Sequence, residues 1–564
     1  MEPLTTMTLK HLLDRSVDQH AARPALTMVG DEPLTYAVLG EQVRTLSGVL
    51  HDRQVRPGDR VAILSESCPN WGVAYFAITT MGAIAVPILP DFHPAEVNHI
   101  LRHAGARAVF ISERQLTKLD DAELEQLDTV YMIEDFSILP AQRQRDGLAR
   151  LIQEGRREFA RRREAVHQRG GQELPAVKED DVAAIIYTSG TTGNSKGVVL
   201  THRNLVFDAM ATLKIQDVRS SDRLLSVLPM SHAYECTIGF IIPVSQGACV
   251  YYLDKPPVAR VLLPALEKVK PTMMLTVPLI MEKLFKTRVL PQFTRNPVMR
   301  ALYGIPAVRR KLHRVAVKKI EKMFGGELRF YGIGGALLAP DVEQFMRDGG
   351  FPYAVGYGLT ETAPLIAGCA PAVTRYRSTG VVVPGVEVQI HEPNPDTGEG
   401  EIWVRGDNVM REYYQDPDRT AEVLSEDGWF RTGDLGRLDA DGYLYIRGRL
   451  KNVIVGSNGE NIYPEAIEAV LNRPDFVLES MVYEDEGQLV ARVHLNYEVL
   501  DQEFASRKLT ESQVRAAVEE KLEALRQETN ASVSPFSRLQ RLLEQPEEFE
   551  KTPTKKIKRY LYVN

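Results

Sequence analysis

The feature that most constrains this chain is an apolar run, Val182 to Ile186, that passes directly into a crowd of hydroxyls and glycines, YTSGTTGNSKGVVLTHRN at Tyr187 to Asn204. A β-rich run without polar alternation reads as a strand buried on both faces. The hydroxyl-rich stretch after it suits an anion. Gly190, Gly193 and Gly197 let the backbone turn sharply and come close, while Thr188, Ser189, Thr191, Thr192 and Ser195 offer O–H donors beside a single cation, Lys196. The expectation is a phosphate-holding loop at the end of a buried strand.

The surroundings agree with an α/β framework. Short apolar runs at 60–64, 83–89, 106–112, 183–188 and 273–278 alternate with helical patterns, which predicts layers built on mainly parallel strands. From Gly398 the texture changes to short strands with Gly and Asp turns, a smaller β-rich unit. Beyond Arg449 a last segment has its own strands and a charged helix near Ser512 to Thr529, so a boundary falls at 448–451. Residues 141–171 carry nine arginines against four acids in a helix-favouring composition, read as a solvated insertion or as a surface for acidic lipid or phosphate.

Composition removes several classes of function. A net charge of −7 argues against a nucleic-acid binder. Cys68, Cys236, Cys249 and Cys369 lie far apart with no Cys-x-x-Cys pair, so neither a zinc site nor a disulfide framework is indicated, and a reducing, cytoplasmic setting is the simplest reading. The N-terminus lacks the apolar core of a signal peptide, and no long uncharged apolar stretch occurs, so the expected protein is soluble or at most peripheral to a membrane.

A Walker A loop does not fit the glycine-rich segment. Counted from Gly190, Ser195 stands where the second glycine belongs, and Lys196 precedes Gly197 rather than a hydroxyl. YGIGGALL at Tyr331 to Leu338 is likewise poor as a dinucleotide fingerprint, because Leu337 replaces its final glycine. Together with VGYGLTETAP at 355–364, WFRTGDLG at 429–436, YIRGRLKNVI at 445–454, GSNGENIYPEAIE at 456–468 and EKTPTKKIKRYLY at 550–562, these segments resemble, in order, the signatures of the acyl-adenylate-forming superfamily. The likeness spans nearly the whole chain and is nearest to long-chain fatty acyl-CoA synthetases. Departures are Ser195 in place of a usual Pro, Asn452 in place of a frequent Asp, and Lys555 in place of the usual Gly.

The resemblance implies an N-terminal AMP-binding domain over 1–448, layered α/β with a small β-barrel-like part, and a mobile α+β C-terminal domain over 449–564. It also implies roles. Thr188, Ser189, Gly190, Thr191, Thr192, Gly193 and Lys196 would hold phosphates, and Gly334, Gly335 and Ala336 would wall the adenine slot. Tyr357 and Gly358 would meet adenine, and Asp434 and Arg449 the ribose. Thr360 would touch the α-phosphate, while Glu361 and Thr188 would hold Mg2+. His232 would gate the acyl pocket, with Cys236 or its neighbours and the run Ile238 to Val244 as candidate lining. Lys451 would be the hinge, Gly459 would leave room for a pantetheine thiol, and Lys556, with Lys555 as the neighbouring alternative, would be the adenylating lysine.

The implied chemistry is activation of a carboxylic acid, medium- to long-chain fatty acids first and aryl acids second, to acyl-AMP, then thioester formation. ATP, Mg2+ and CoA are the implied co-reactants, and an acyl carrier protein is the alternative acceptor. A non-catalytic nucleotide- or lipid-binding relative is the remaining alternative.

Overall fold

The computed structural model describes residues 4–120, 127–139, 155–164, 176–189, 195–294, 296–455, 461–505, 510–552 and 556–563. Its framework is two large sheets. In the eight-stranded sheet, Ile84–Ile88 lies between Val182–Ser189 and Arg60–Leu64, and beyond these come Ala108–Ile111, Thr129–Met132 and Ile138–Leu139. The pairings around its centre are parallel, and its edges are antiparallel. Each apolar run singled out in the sequence is a strand. They are continuous in hydrophobicity because helices cover both faces, as in the fully buried Val61, Ala62 and Ile63.

Val182–Ser189 returns directly as Ser195–Thr201, its antiparallel neighbour. The helix His202–Thr212 begins only after the second of these two paired strands, capped by the Thr201 side chain on the Asn204 N–H. This separates the loop from a Walker loop, whose glycines open straight into a helix. Residues 190–194, which hold Gly190, Thr191, Thr192 and Gly193, lie outside the described residues, as does the Ser189 side chain. Ser195 is the first residue of its strand, a place where proline is also tolerated, so the substitution is structurally mild. Gly197 serves close packing rather than a turn: a Cβ there would sit 2.9 Å from Ile185 and 3.1 Å from the Tyr187 ring.

The seven-stranded sheet places Phe330–Ile333 between Tyr353–Val355 and Met273–Thr276, followed by Arg223–Ser226, Cys249–Tyr252 and Pro24–Met28, all parallel, with antiparallel Leu34–Thr35 at the edge. The loops at the carboxyl ends of its strands carry two of the expected site segments, Gly334 to Ala336 and Tyr357 to Glu361. Ligand sites of open α/β sheets gather at such ends.

Two small antiparallel sheets come next, one of Tyr357–Gly358, Leu365–Gly368 and Val381–Val382, the other of Glu387–His391, Gly400–Arg405, Phe430–Leu438 and Leu444–Arg449. They share one core, in which Ile366, Val383, Ile402, Val404 and Leu444 meet. This β-rich part begins well before Gly398. Glu387–His391 is half-exposed along its length and carries Glu, Gln and His, so its strand character has little hydrophobic signal.

Past the turn Leu450–Asn452 the chain builds separate apolar clusters, one around Ile467, Leu471, Val493 and Leu522. The charged helix runs over Glu511–Ser532. Within the basic segment 141–171, residues 155–164 are helical, and the rest lie outside the described residues. Among the described residues no helix is long and apolar enough to cross a membrane.

Candidate active site

Two buried polar clusters lie within electrostatic range of Lys556 in the C-terminal segment. The first is centred on Glu361, which begins a buried stretch within the single turn Thr360–Thr362. Lys196 Nζ donates to Glu361 Oε1 at 2.7 Å and to the Tyr413 hydroxyl at 2.6 Å, and Tyr413 itself donates to Glu361 Oε1 at 2.9 Å. Strand register assembles the group. Glu412–Tyr413 pairs antiparallel with Ser195–Thr201, setting Tyr413 opposite Val198 and its ring 4.2 Å from the Lys196 ammonium. Burial alone would raise the Glu361 carboxyl, but the Lys196 charge and the hydrogen bonds from Lys196 and Tyr413 outweigh it and hold it below the usual carboxylate range.

Tyr413 was not found by sequence reasoning. It stands in REYYQDP, where nothing distinguishes it from Tyr414 beside it, and only strand pairing identifies which ring turns inward. Tyr413→Phe is expected to cost about 1 kcal/mol through the lost hydrogen bond, read as a lower denaturant midpoint at unchanged slope. An unchanged midpoint would remove Tyr413 from the cluster.

The second cluster joins Tyr357, Asp434 and Arg449. Asp434 and Arg449 are register partners on neighbouring antiparallel strands, and the Arg449 Nε lies 2.8 Å from Asp434 Oδ1 while the Tyr357 hydroxyl donates to Oδ2 at 2.7 Å. Burial pushes the Asp434 carboxyl up, with Arg449 and Tyr357 opposing. Each carboxylate oxygen has lone pairs left for a diol. Tyr357 and Gly358 form a strand that leads into Thr360, so an aromatic face, a hydroxyl and a carboxylate succeed one another along the chain.

After the neighbouring strand Phe330–Ile333 comes Gly334, Gly335 adopts a positive φ of 86°, and Gly335 and Ala336 are exposed. The positive φ favours glycine at 335, and the side chains at 334–336 are small. Gly334 abuts the Tyr234 ring, which a Cβ would approach to 3.2 Å.

Lys556 approaches both clusters from the C-terminal segment. Crowding by protein lowers its pKa, Arg449 lowers it further, and Asp434 and Glu361 pull the other way, so its ammonium lies within electrostatic range of both clusters although it retains solvent exposure. His232 is close too: burial and the Lys556 charge lower its pKa to about 4, leaving a neutral imidazole near pH 7. Lys555, with Pro553 and Thr554, lies outside the described residues, and so does Gly459. Lys451 is exposed in the turn Leu450–Asn452. Beside it the Asn452 amide donates to Glu465 Oε1 at 2.6 Å, a bond that an Asp could not make and would replace with repulsion.

The residues fit a nucleotide triphosphate with its metal. Thr188 Oγ1 is buried with no partner among the described residues, an acceptor-donor awaiting one. Among the described residues there is no group of three or more His, Cys, Asp or Glu that could hold a metal by itself. Glu361 with one hydroxyl suits Mg2+, which is commonly held by one or two carboxylates together with substrate phosphates.

Behind the Tyr234 ring lies a narrow apolar cavity of about 50 Å3. Ile238, Ile242 and Pro243 line it as the sequence suggested, with Met273, Leu275 and Phe330 opposite, whereas Cys236 packs into the core instead. Glu235 turns away into the core, accepts a 2.5 Å bond from Ser226, and is pushed by burial to about 8, so it is a neutral acid at pH 7.

Residues 13–414 match the family described as AMP-binding enzyme. The 3-[(3aS,4S,7aS)-7a-methyl-1,5-dioxo-octahydro-1H-inden-4-yl]propanoyl:CoA ligase of Rhodococcus jostii (strain RHA1) is 31% identical over 465 residues, covering 80% of this chain and 81% of that protein. Long chain acyl-CoA synthetase 6, peroxisomal, of Arabidopsis thaliana is 30% identical over 582 residues, covering 94% of this chain and 80% of that protein. The fold is similar to that of the anthranilate CoA ligase AuaEII in complex with anthranoyl-AMP, with a TM-score of 0.77 at 20% identity over 99% of this chain and 97% of that one. A match of that extent, supported by identity along most of the length, carries a plain conclusion: the chain belongs to the AMP-binding enzyme family.

Proposed function

We propose that this chain, an ATP-dependent acyl-CoA ligase of the AMP-binding family, takes a medium- to long-chain fatty acid as its acid. The reading rests on the similarity to long chain acyl-CoA synthetase 6 and on the apolar lining of the cavity behind Tyr234. Its lining is apolar from Tyr234 to Phe330, and it runs along strands that end at the Gly-Gly-Ala segment. The carboxylate end therefore belongs near Ile333, and Met273 and Phe330, three residues back on parallel strands, mark a far end about 10 Å away.

A carboxylate does not exchange oxygen for sulfur directly, because oxide is a poor leaving group. In the proposed first half reaction the substrate carboxylate attacks the α-phosphorus of ATP and expels pyrophosphate, with Lys556 and Thr360 stabilising charge on the crowded phosphorus. Lys196 and the hydroxyls from Thr188 to Thr192 hold phosphate oxygens, Tyr357 faces the base, and Asp434 with Arg449 binds the ribose. Thr188 and Glu361 would hold Mg2+, which neutralises phosphate charge when bound. His232, neutral at pH 7, separates the phosphate end from the acyl cavity. In the second half reaction the CoA thiolate attacks the mixed anhydride and AMP leaves.

Lys556 must approach the phosphate in one step and leave room for CoA in the other. The unit 449–564 therefore turns about Lys451, bringing Gly459 to the thiol. The four cysteines are all free, which fits work in a reducing cytoplasm.

Release of AMP and pyrophosphate across straight-chain and aryl acids, with and without CoA, tests the reading. Met273→Phe is expected to lower turnover of octanoate at least about tenfold while butanoate stays within about threefold, since extra volume at the far end excludes only the chain long enough to reach it. Equal loss on both acids would place the acyl group elsewhere. Pyrophosphate release that CoA does not accelerate would redirect the search to a carrier-protein acceptor.

A further inference from the structure

The connection between the two cavity-lining strands Met273–Thr276 and Phe330–Ile333 is a run of helices with an unusual charge balance. Residues 278–323 hold twelve lysines and arginines against Glu282 and Glu321, in a chain whose net charge is −7. In the helix Pro306–Met323 the burial pattern divides two faces. His313, Ala316, Val317 and Ile320 point inward, and Val317 packs so closely on the helix Pro340–Gly349 that a Cβ at Gly349 would lie 2.1 Å from it. The outward stripe is Arg310, Lys311, Arg314, Val315, Lys318, Lys319 and Lys322, at helical spacing.

A merely solvated face mixes signs and satisfies its cations locally. Here the one ion pair of the helix, among the described residues, is His313 with Asp348 on the inner face, and none of the six outer cations has a carboxylate oxygen within 4.0 Å. The adjoining helix Pro297–Tyr303 adds apolar groups instead. Val298 is 67% exposed, Val315 is 56% exposed, and Leu302 and Ile305 are exposed as well. Their placement is rigid, because Tyr303 is hydrogen-bonded to His313 at 2.8 Å and stacked on Phe293 at 5.2 Å.

Unpaired cations interleaved with protruding aliphatic side chains fit an interface that is anionic at its surface and apolar beneath. A nucleic acid offers the charge but gives Val298, Leu302, Ile305 and Val315 nothing to enter. We propose that the surface formed by 297–322 docks the protein reversibly on an anionic lipid bilayer. The docking stands on this surface alone and does not require that the acid be a long-chain one.

The test is co-sedimentation of the full chain with vesicles of phosphatidylcholine alone or with about one third phosphatidylserine. Binding to the anionic vesicles only, weakened by salt as screening predicts, is expected. Arg310→Glu, Arg314→Glu and Lys318→Glu combined should lower partitioning at least about tenfold. Val298→Ser with Leu302→Ser should lower it several-fold with the salt dependence kept. Thermal unfolding and AMP release with a short soluble acid serve as checks of folding, and Arg310→Gln with Lys318→Gln replaces the triple variant if that one does not fold. Absence of anionic-vesicle binding, or undiminished binding by the charge variants, would overturn the proposal. So would displacement of vesicles by random duplex DNA together with indifference to the Val298 and Leu302 changes, which would make the stripe a general polyanion surface.

Discussion

Lys556→Ala is expected to slow acyl-adenylate formation by on the order of a hundred- to a thousandfold, while thioester formation from a supplied acyl-adenylate changes by no more than about threefold. The asymmetry comes from placement. Lys556 lies within electrostatic range of Asp434, Glu361, Arg449 and His232, which is where the α-phosphate of a bound nucleotide would be flanked. In the proposed mechanism a charge acting there would stabilise the crowded phosphorus and pyrophosphate departure, and would have no work to do when a thiolate attacks a carbonyl. Lys555→Ala is the matched control, and its adenylation rate should stay within about threefold of the parent. Pyrophosphate release in single turnover reads the first step, and AMP release from synthetic acyl-adenylate with CoA reads the second. Equal losses in both steps would deny Lys556 a step-specific role. A larger effect at Lys555 would transfer the role to it.

Much of this arrangement was legible in the sequence, for identifiable reasons. Strands such as Arg60–Leu64 and Met273–Thr276 are buried on both faces and so announce themselves as unbroken apolar runs. Asp434 and Glu361 sit in short segments of glycine and hydroxyl residues with little alternative use. What local sequence could not convey is pairing at a distance. That Glu361 rests against Lys196 and Tyr413 depends on Glu412–Tyr413 adding to the edge of a sheet begun more than two hundred residues earlier. Asn452 was visible as a departure, but its reason, the Glu465 carboxylate one helix away, was not. The strand Glu387–His391 stayed hidden because an exposed strand in a small sheet needs few apolar residues.

The Lys196, Glu361 and Tyr413 cluster makes the second large expectation, in which stability and activity part company. Glu361→Gln removes the anion that Lys196 faces and is expected to cost about 1–3 kcal/mol of folding stability at pH 7, with adenylation falling on the order of a hundredfold or more. The stability loss should depend on pH with a definite sign. Because the Glu361 carboxyl is held below its ordinary range, its contribution is full above the unfolded value and disappears as pH falls through the lowered folded one. Denaturant midpoints of the two proteins should therefore converge on acidification. Removing both charges, as Lys196→Met with Glu361→Gln, should recover part of the stability, since no unpaired charge is left behind, yet should recover none of the activity, since on the proposed mechanism neither phosphate nor metal would then have its partner. Additive stability losses in the double variant would mean that the pair is incidental to folding. Recovery of adenylation along with stability would mean that Glu361 acts on catalysis only through the fold.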